Sequence, residues 1–477
     1  MKKIFILIAA CAVMVGCNKF KDINISPAQL TSASTKALLT NSLQQIPILT
    51  MGNDAAGRLG ALYVQHISEG PYPASSLYSD RNLNFAAWYI GPLYNLQTII
   101  NYNNDGRVEA ENNGSKDNQI AVARILKAYY YLLMTDKWGD IPYSEALQGN
   151  GAFSPVYDKQ QDIYTDLFKE LTEAVAQIKE NEVGVVGDVL LNGDMAAWKR
   201  FANTQRMIMA LRLSKADPAK GKTEYTAAIA AGVISSNTQN ISYKFLAGDP
   251  NNYNPWYNNY TVSLRNDYAI SKTVTDYMQP KNDPRLPVYG EVLSGSVVGL
   301  TYGRNQAVNL PAAYSRIGSY FRGAGSSMPI FNYAQVLFTQ AEAAKIGYTA
   351  GGDAEAAIKY LDAIKTSWEQ HGVYSATPYA AYTALPDVLY SPADGLKKII
   401  TEKWVHGYLN SWEVWNDWRR TGFPVLTPAV DATDARGIPV RLGYPANENA
   451  LNGEHYKAAV TNLGGQDDNY AKMWWLK

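Results

Sequence analysis

Apolar residues recur at helical spacing along much of the chain. Val122, Ile125, Leu126, Tyr129, Leu132 and Leu133 stand at offsets 0, 3, 4, 7, 10 and 11, which is one face of a helix. Gly139 and Pro142 stop it. Ile163, Leu167, Leu171, Ala174 and Ile178 make a second such face. The connection between them carries the turn formers Gly139, Pro142, Gly149, Gly151 and Pro155. Weaker patterns predict helices over 31–49, 85–102, 194–215 and 223–232.

The stretch from Asn332 to His371 bears on architecture. Tyr333, Val336, Leu337, Ala341 and Ala344 mark one helix, Gly347, Gly351 and Gly352 break the chain, and Ala354, Ala357, Ile358, Leu361, Ile364 and Trp368 mark the next. Small alanines where two helices touch, a glycine turn and a deeper aromatic fit a tetratricopeptide unit. They fit any antiparallel helix hairpin equally well. Residues 233–330 and 421–477 break the pattern, the first with Asn, Gly, Tyr and short β-prone runs such as Val297-Val298, the second with Pro424, Pro428, Pro439 and Pro445. Long irregular segments in an ordered body are where binding loops are found. The expected fold is all-α, with tetratricopeptide-like helical pairs in one large domain over 29–477, long irregular loop regions and a few short strands. At 477 residues the chain exceeds the ~250–300 that one compact core supports. Helix pairs added side by side accommodate that length.

The first residues follow a different logic. Lys2 and Lys3 precede an apolar run from Ile4 to Val15. The run falls short of the ~20 residues of a membrane-spanning helix and has the length of a signal peptide. It closes on Met14-Val15-Gly16-Cys17, a small residue directly before cysteine, which resembles the bacterial lipobox with Met14 in the place of the usual Leu. Cys11, the other cysteine, lies inside the apolar run, so cleavage leaves no second thiol for a disulfide, a thiolate metal site or a cysteine nucleophile. The expectation is a signal peptide over 1–16, lipidation at Cys17 and a lipidated tether over 17–28.

Charge and motif content narrow the function by exclusion. Lys plus Arg equals Asp plus Glu at 43 each, which gives no support for nucleic-acid binding. The histidines (His66, His371, His406 and His455) lack the i, i+4 spacing of a zinc helix, and neither a nucleophile elbow nor a phosphate loop is present. The segment Asn101-x-Asn103-x-Asp105-Gly106 lacks the first Asp and the twelfth-position Glu of a calcium loop. No metal, cofactor or catalytic residue is expected. Glu402, Glu413 and Asp417 lie among Trp404, Trp412, Trp415 and Trp418 and would serve glycoside hydrolysis only by facing each other across the cleaved bond. The four-residue spacing of Glu413 and Asp417, beside Arg419 and Arg420, suits ion pairing on a helix instead.

The 34 Tyr and 11 Trp, against 18% charged residues, point to flat amphipathic rings as a means of binding. From Asn251 to Tyr260 the chain holds Asn, Tyr, Trp and Pro with no charged or aliphatic residue. Tyr253, Asn254, Trp256, Tyr257 and Tyr260 are candidate ligand contacts there, rings for the C–H face of a sugar and amides for its hydroxyls. A second candidate is the loop from His66 to Arg81, with Tyr72, Tyr78 and Arg81.

Several further stretches stand in a telling order along the chain. They are Ala128-Tyr129-Tyr130-Tyr131 leading into Trp138-Gly139-Asp140-Ile141-Pro142-Tyr143, Trp198-Lys199-Arg200-Phe201-Ala202-Asn203 running into Arg206 to Leu213, and Asn282-Asp283-Pro284-Arg285-Leu286. Met328-Pro329-Ile330 with Gln340-Ala341-Glu342-Ala343-Ala344 follows, then Glu402-Lys403-Trp404, then Ile438-Pro439-Val440-Arg441 with Tyr444-Pro445 and Glu448. Read together, they resemble the SusD/RagB family of nutrient-binding outer-membrane lipoproteins. The resemblance implies a helical, tetratricopeptide-like protein on the outer membrane, facing the cell exterior. It would capture an oligomeric nutrient, most often a glycan, beside a SusC-like TonB-dependent transporter. Two alternatives stay open, an exported helical carbohydrate-active enzyme and a peptide-binding RagB-like member of the family.

Overall fold

The computed structural model describes residues 32–51, 55–79, 82–310 and 313–477. The expected signal peptide, Cys17, the tether and Arg81 lie outside the described residues.

The protein is mostly helical. Its longer helices are α1 (Thr35–Thr50), α2 (Ala55–Tyr63), α3 (Tyr94–Asn104), α4 (Lys116–Trp138), α5 (Gln160–Gln177), α6 (Met195–Arg212), α7 (Pro218–Ala231), α8 (Tyr333–Lys345), α9 (Gly352–Gln370), α10 (Ala376–Thr383), α11 (Gly395–His406), α12 (Ser411–Thr421) and α13 (Gly453–Asn462). Short strands β1 (Ile67–Glu69), β2 (Ile141–Pro142), β3 (Tyr157–Asp158), β4 (Ile241–Tyr243), β5 (Tyr268–Ile270) and β6 (Met328–Phe331) form two-stranded antiparallel ladders, β1 with β5, β2 with β3 and β4 with β6. Consecutive helices pack as pairs, α4 on α5, α6 on α7, α8 on α9 and α11 on α12. No described helix is long and apolar enough to cross a membrane.

Local chemistry explains the ends of these helices. Ser115 caps α4 by accepting from the Asn118 N–H, and Gly139 ends it at φ +88°, a left-handed conformation that costs other residues dearly. Asp194 caps α6, Asp217 with Pro218 starts α7, and Asn332 caps α8. From Asn118 to Trp138 nearly every residue of α4 is buried, so the stripe read in the sequence belongs to a helix enclosed on all sides.

The free carbonyls at the end of α4 are answered from far along the chain. The Asp136 carbonyl accepts from Arg419 (2.7 Å), that of Lys137 from the Leu442 N–H (2.8 Å) and that of Trp138 from Arg441 (3.1 Å). In return Trp138 Nε1 donates to the Gly443 carbonyl at 3.1 Å. The end of a buried helix is thus satisfied as completely as burial demands.

Three details differ from the sequence reading. The helix expected over 85–102 is interrupted, because Pro92 lacks an N–H and the chain widens around it, with the Tyr94 N–H reaching back to the Tyr89 carbonyl before α3 begins. The buried stripe of α9 is Ala356, Tyr360, Ala363, Ile364 and Trp368, whereas Ile358, expected inside, is 61% exposed. The segment after 421 is less irregular than expected, since it contains α13 and ends with Trp475 fully buried.

Candidate functional site

Three segments converge beside the β1–β5 ladder. Past Glu69 the chain continues in register, with the Gly70 N–H donating to the Asp267 carbonyl (2.8 Å) and the Val308 N–H donating to the Gly70 carbonyl (2.9 Å). A Cβ at Gly70 would meet the Val308 carbonyl and Leu310 at 2.8 Å, so only glycine lets these strands approach. Ser68 Oγ donates to the Leu300 carbonyl (2.9 Å), which ties down the start of the third segment.

The segment at 303–305 is fixed from the other side. The Asp431 N–H donates to the Gly303 carbonyl (3.0 Å), and one Asp431 carboxylate oxygen accepts from the Asn305 N–H (2.8 Å). Glu69 caps the short turn Ser75–Leu77 by accepting from the Ser76 N–H at 2.7 Å. Between these walls lies a groove of about 580 Å³, within the ~300–1,000 Å³ of small-molecule sites. Arg304, Asn305, Gln306, Tyr314, Glu69 and Asp431 line it, and Ser76 Oγ has no hydrogen-bond partner there among the described residues. The lining offers a ring, two amides, a guanidinium and two carboxylates, the donor and acceptor mixture that hydroxyl-rich ligands require.

Of the residues expected to touch ligand, some face solvent and others do not. Tyr72, 65% exposed, stands next to the groove residue Pro73 and lies under the Arg265 guanidinium, 5.6 Å from its ring centre. Tyr253 and Tyr257 are half-buried and pack edge-on to each other at 5.1 Å, outside the groove lining. Four of the expected residues are covered by their own chain. Trp256 is 1% exposed and packs edge-on to Tyr268, while the Tyr260 hydroxyl donates to the Tyr268 carbonyl at 2.7 Å. Asn254 is fully buried, donating to the carbonyls of Phe321 and Ser326 and accepting from the Trp256 N–H. Tyr78 is buried too, its hydroxyl accepting from the Ala429 N–H, and burial raises its pKa.

Sequence reasoning missed Arg304, Asn305, Gln306 and Tyr314. The available signal was the polar run after Gly303, flanked by Tyr302 and Tyr314, inside the long irregular region.

The carboxylates on which an enzyme reading would rest are engaged elsewhere. Glu402 accepts from Arg285 (2.9 Å), Tyr382 (2.6 Å) and Tyr277 (3.0 Å). Glu413 takes both its bonds from Arg212, which also donates to Asp136 at 2.9 Å. Asp417 pairs with Lys403 (2.8 Å) and Arg420 (3.0 Å), and Arg420 also meets Glu342. None of these three lines the 580 Å³ groove. Among the described residues, no cluster of His, Cys, Asp and Glu has the arrangement of a metal site.

The chain matches, over residues 27–445, the SusD-like family described as starch-binding and associating with the outer membrane. The chain belongs to this family. Among solved structures, a chitin-binding protein is similar at 28% identity and TM-score 0.78, covering 93% of this chain and 100% of its own. A chitin-binding SusD homologue from Flavobacterium johnsoniae is similar at 25% identity and TM-score 0.78, covering 93% and 98%. A SusD homologue from Bacteroides uniformis aligns at 25% identity and TM-score 0.78, covering 94% and 100%. No functionally curated protein matches.

Proposed function

We propose that this protein is a surface lipoprotein that captures an oligosaccharide in the groove between the 69–76 and 300–308 segments, beside Tyr314, and passes it to a SusC-like TonB-dependent barrel. The observation that carries the reading is the groove itself, where Tyr314 stands among Asn305, Gln306, Arg304, Glu69 and Asp431. Membership of a family described as starch-binding, and two chitin-binding structural relatives, make malto- and chito-oligosaccharides the first ligands to test. The family's association with the outer membrane is what supports the barrel as a partner.

Calorimetric titration of chitotetraose and maltotetraose tests capture. Binding by the wild type should weaken about threefold to tenfold in Tyr314→Ala, the range expected for one stacked ring at ~0.5–1.5 kcal/mol. Failure of both sugars to bind at millimolar concentration, or equal binding by the variant, would count against the groove.

Anchoring through Cys17 completes the proposal, on the strength of the lipobox-like end of the apolar run. Cys17→Ala should move the protein from the membrane to the soluble fraction with its helical circular dichroism unchanged. Continued tight membrane association of that variant would reject the lipid anchor.

A further inference from the structure

A second cavity, of about 360 Å³, opens where three helix ends meet, and it shares no residue with the groove. Asn332, which caps α8, lines it together with His371 at the end of α9 and His406 at the end of α11. Its volume falls within the ~300–1,000 Å³ of small-molecule sites.

The hydrogen bonds of this junction leave one donor and one acceptor over. Asn332 Oδ1 accepts from the Gln335 N–H (2.9 Å), which fixes that atom as the oxygen. His406 Nε2, 2.7 Å from the same oxygen, therefore carries its proton and donates. Asn332 Nδ2 is left with no acceptor among the described residues. His371 donates Nδ1–H to the Ser367 carbonyl (2.8 Å), so Nε2 bears the lone pair, and no described residue donates to it. Burial lowers the pKa of His371 to about 4, which keeps the ring neutral. Asn332 is 4% exposed and His371 8%, so both are held firmly at the cavity wall. Such atoms are costly to leave unmatched, and together they suit a ligand that both accepts and donates.

The rest of the wall is almost without charge. Asn240 and Gln370 add carboxamides, bonded to each other at 3.3 Å, with Gln370 Nε2 unengaged among the described residues. Of the lining residues only Glu369 is charged, and Lys365 answers it at 3.4 Å. An anion would find no counter-charge here, and a cation would compete with Lys365. Tyr320 stands in the lining with its ring 45% exposed and 5.4 Å from that of His371. That ring offers a flat surface to C–H groups, while the amides serve hydroxyls.

We propose that this cavity binds one uncharged pyranose unit, with a sugar oxygen accepting from Asn332 Nδ2, a hydroxyl donating to His371 Nε2 and Tyr320 against the C–H face. It is a second sugar site, apart from the groove, and does not rest on the groove reading.

The chain has only four histidines, so His371 Nε2 can be followed by NMR of protein labelled in its histidine nitrogens. Maltose and N,N′-diacetylchitobiose are the probes, the second adding acetamido groups to the same ring. Millimolar addition of at least one should shift the His371 Nε2 signal while that of His455, on α13, stays in place. The same shift is expected in Tyr314→Ala, which tells failure of the groove reading from failure of this one. Glucuronate and N-acetylglycinamide, an anion and a peptide-like amide, should bind more weakly. Asn332→Asp keeps the oxygen that caps α8 and removes the N–H donor, and it should weaken binding about threefold to tenfold, the worth of one neutral hydrogen bond. Tyr320→Ala should weaken it by a similar factor. Circular dichroism verifies that each variant is folded; if Asn332→Asp is not, Tyr320→Ala and the His371 shift decide. No shift with either disaccharide, binding of glucuronate or N-acetylglycinamide as tight as theirs, or unchanged affinity in a folded variant would overturn the proposal.

Discussion

Trp256 illustrates how composition misleads about a single side chain. The Asn/Tyr/Trp segment has the make-up of a solvent-facing binding loop, yet Pro255 starts a helical turn over Pro255–Tyr257 and the chain widens through the next residues, with the Ser263 N–H reaching the Asn258 carbonyl. That winding carries Trp256 and Tyr260 inwards and leaves Tyr253 and Tyr257 at the edge. Trp256→Ala should accordingly unfold the protein more easily rather than impair a contact. The expected loss is ~3–5 kcal/mol, as for other buried tryptophans, read from the shift of the urea midpoint. A change below ~1 kcal/mol would place the ring outside the core after all. Nothing in the sequence could decide this, because burial there is set by Phe321, Ser326 and Tyr268, remote or on another strand.

Histidines mark where helices meet. His66 joins α2 to the α11–α12 junction, and its two nitrogens are assigned by their partners. Nε2–H donates to the Trp404 carbonyl (3.0 Å) and Nδ1 accepts from the Leu409 N–H (3.3 Å), so the ring is neutral and a second proton would face an N–H. His371 at the end of α9 donates Nδ1–H to the Ser367 carbonyl (2.8 Å), and His406 at the end of α11 spans Ser367 Oγ (2.9 Å) and Asn332 Oδ1 (2.7 Å). Burial lowers the pKa of His66 to about 3 and of His371 to about 4, and it depresses His406 as well. In the unfolded chain each would titrate near ~6.5. Stability is therefore complete above that value and falls as pH drops toward the folded pKa, because the unfolded state binds more protons. Between pH 7 and 5 the loss should be ~2 kcal/mol for each of His66 and His371, visible as a falling urea midpoint. A midpoint flat across that window would contradict the neutral assignments. These junctions were not legible in the sequence, where each histidine stands alone. The helices themselves were, as α4, α5 and α8 fall where apolar spacing, caps and glycine stops place them, and the errors at Pro92 and along α9 are errors of continuity and of face.

Across the whole molecule, the stretches that carried the family resemblance serve the scaffold. Asn282-Asp283-Pro284-Arg285 meets Glu402 through Arg285, Glu342 meets Arg420, and the Trp138-Gly139-Asp140 exit of α4 meets the Arg441–Tyr444 segment, where the Tyr444 hydroxyl donates to the Asp140 carbonyl. The recognisable residues were thus the interlocking ones, while the groove is built from loops whose composition carried only a general signal. The union of α4 with the 440–444 segment has a further consequence, and it concerns time. Its partners lie some 300 residues apart, and closing so long a loop precedes the contacts that reward it, which makes such junctions late and slow. A chain threaded across a membrane from its N-terminus would emerge with the exit of its central helix still open. Until the 440–444 segment emerged, the exit of α4 would lack the partners of its free carbonyls.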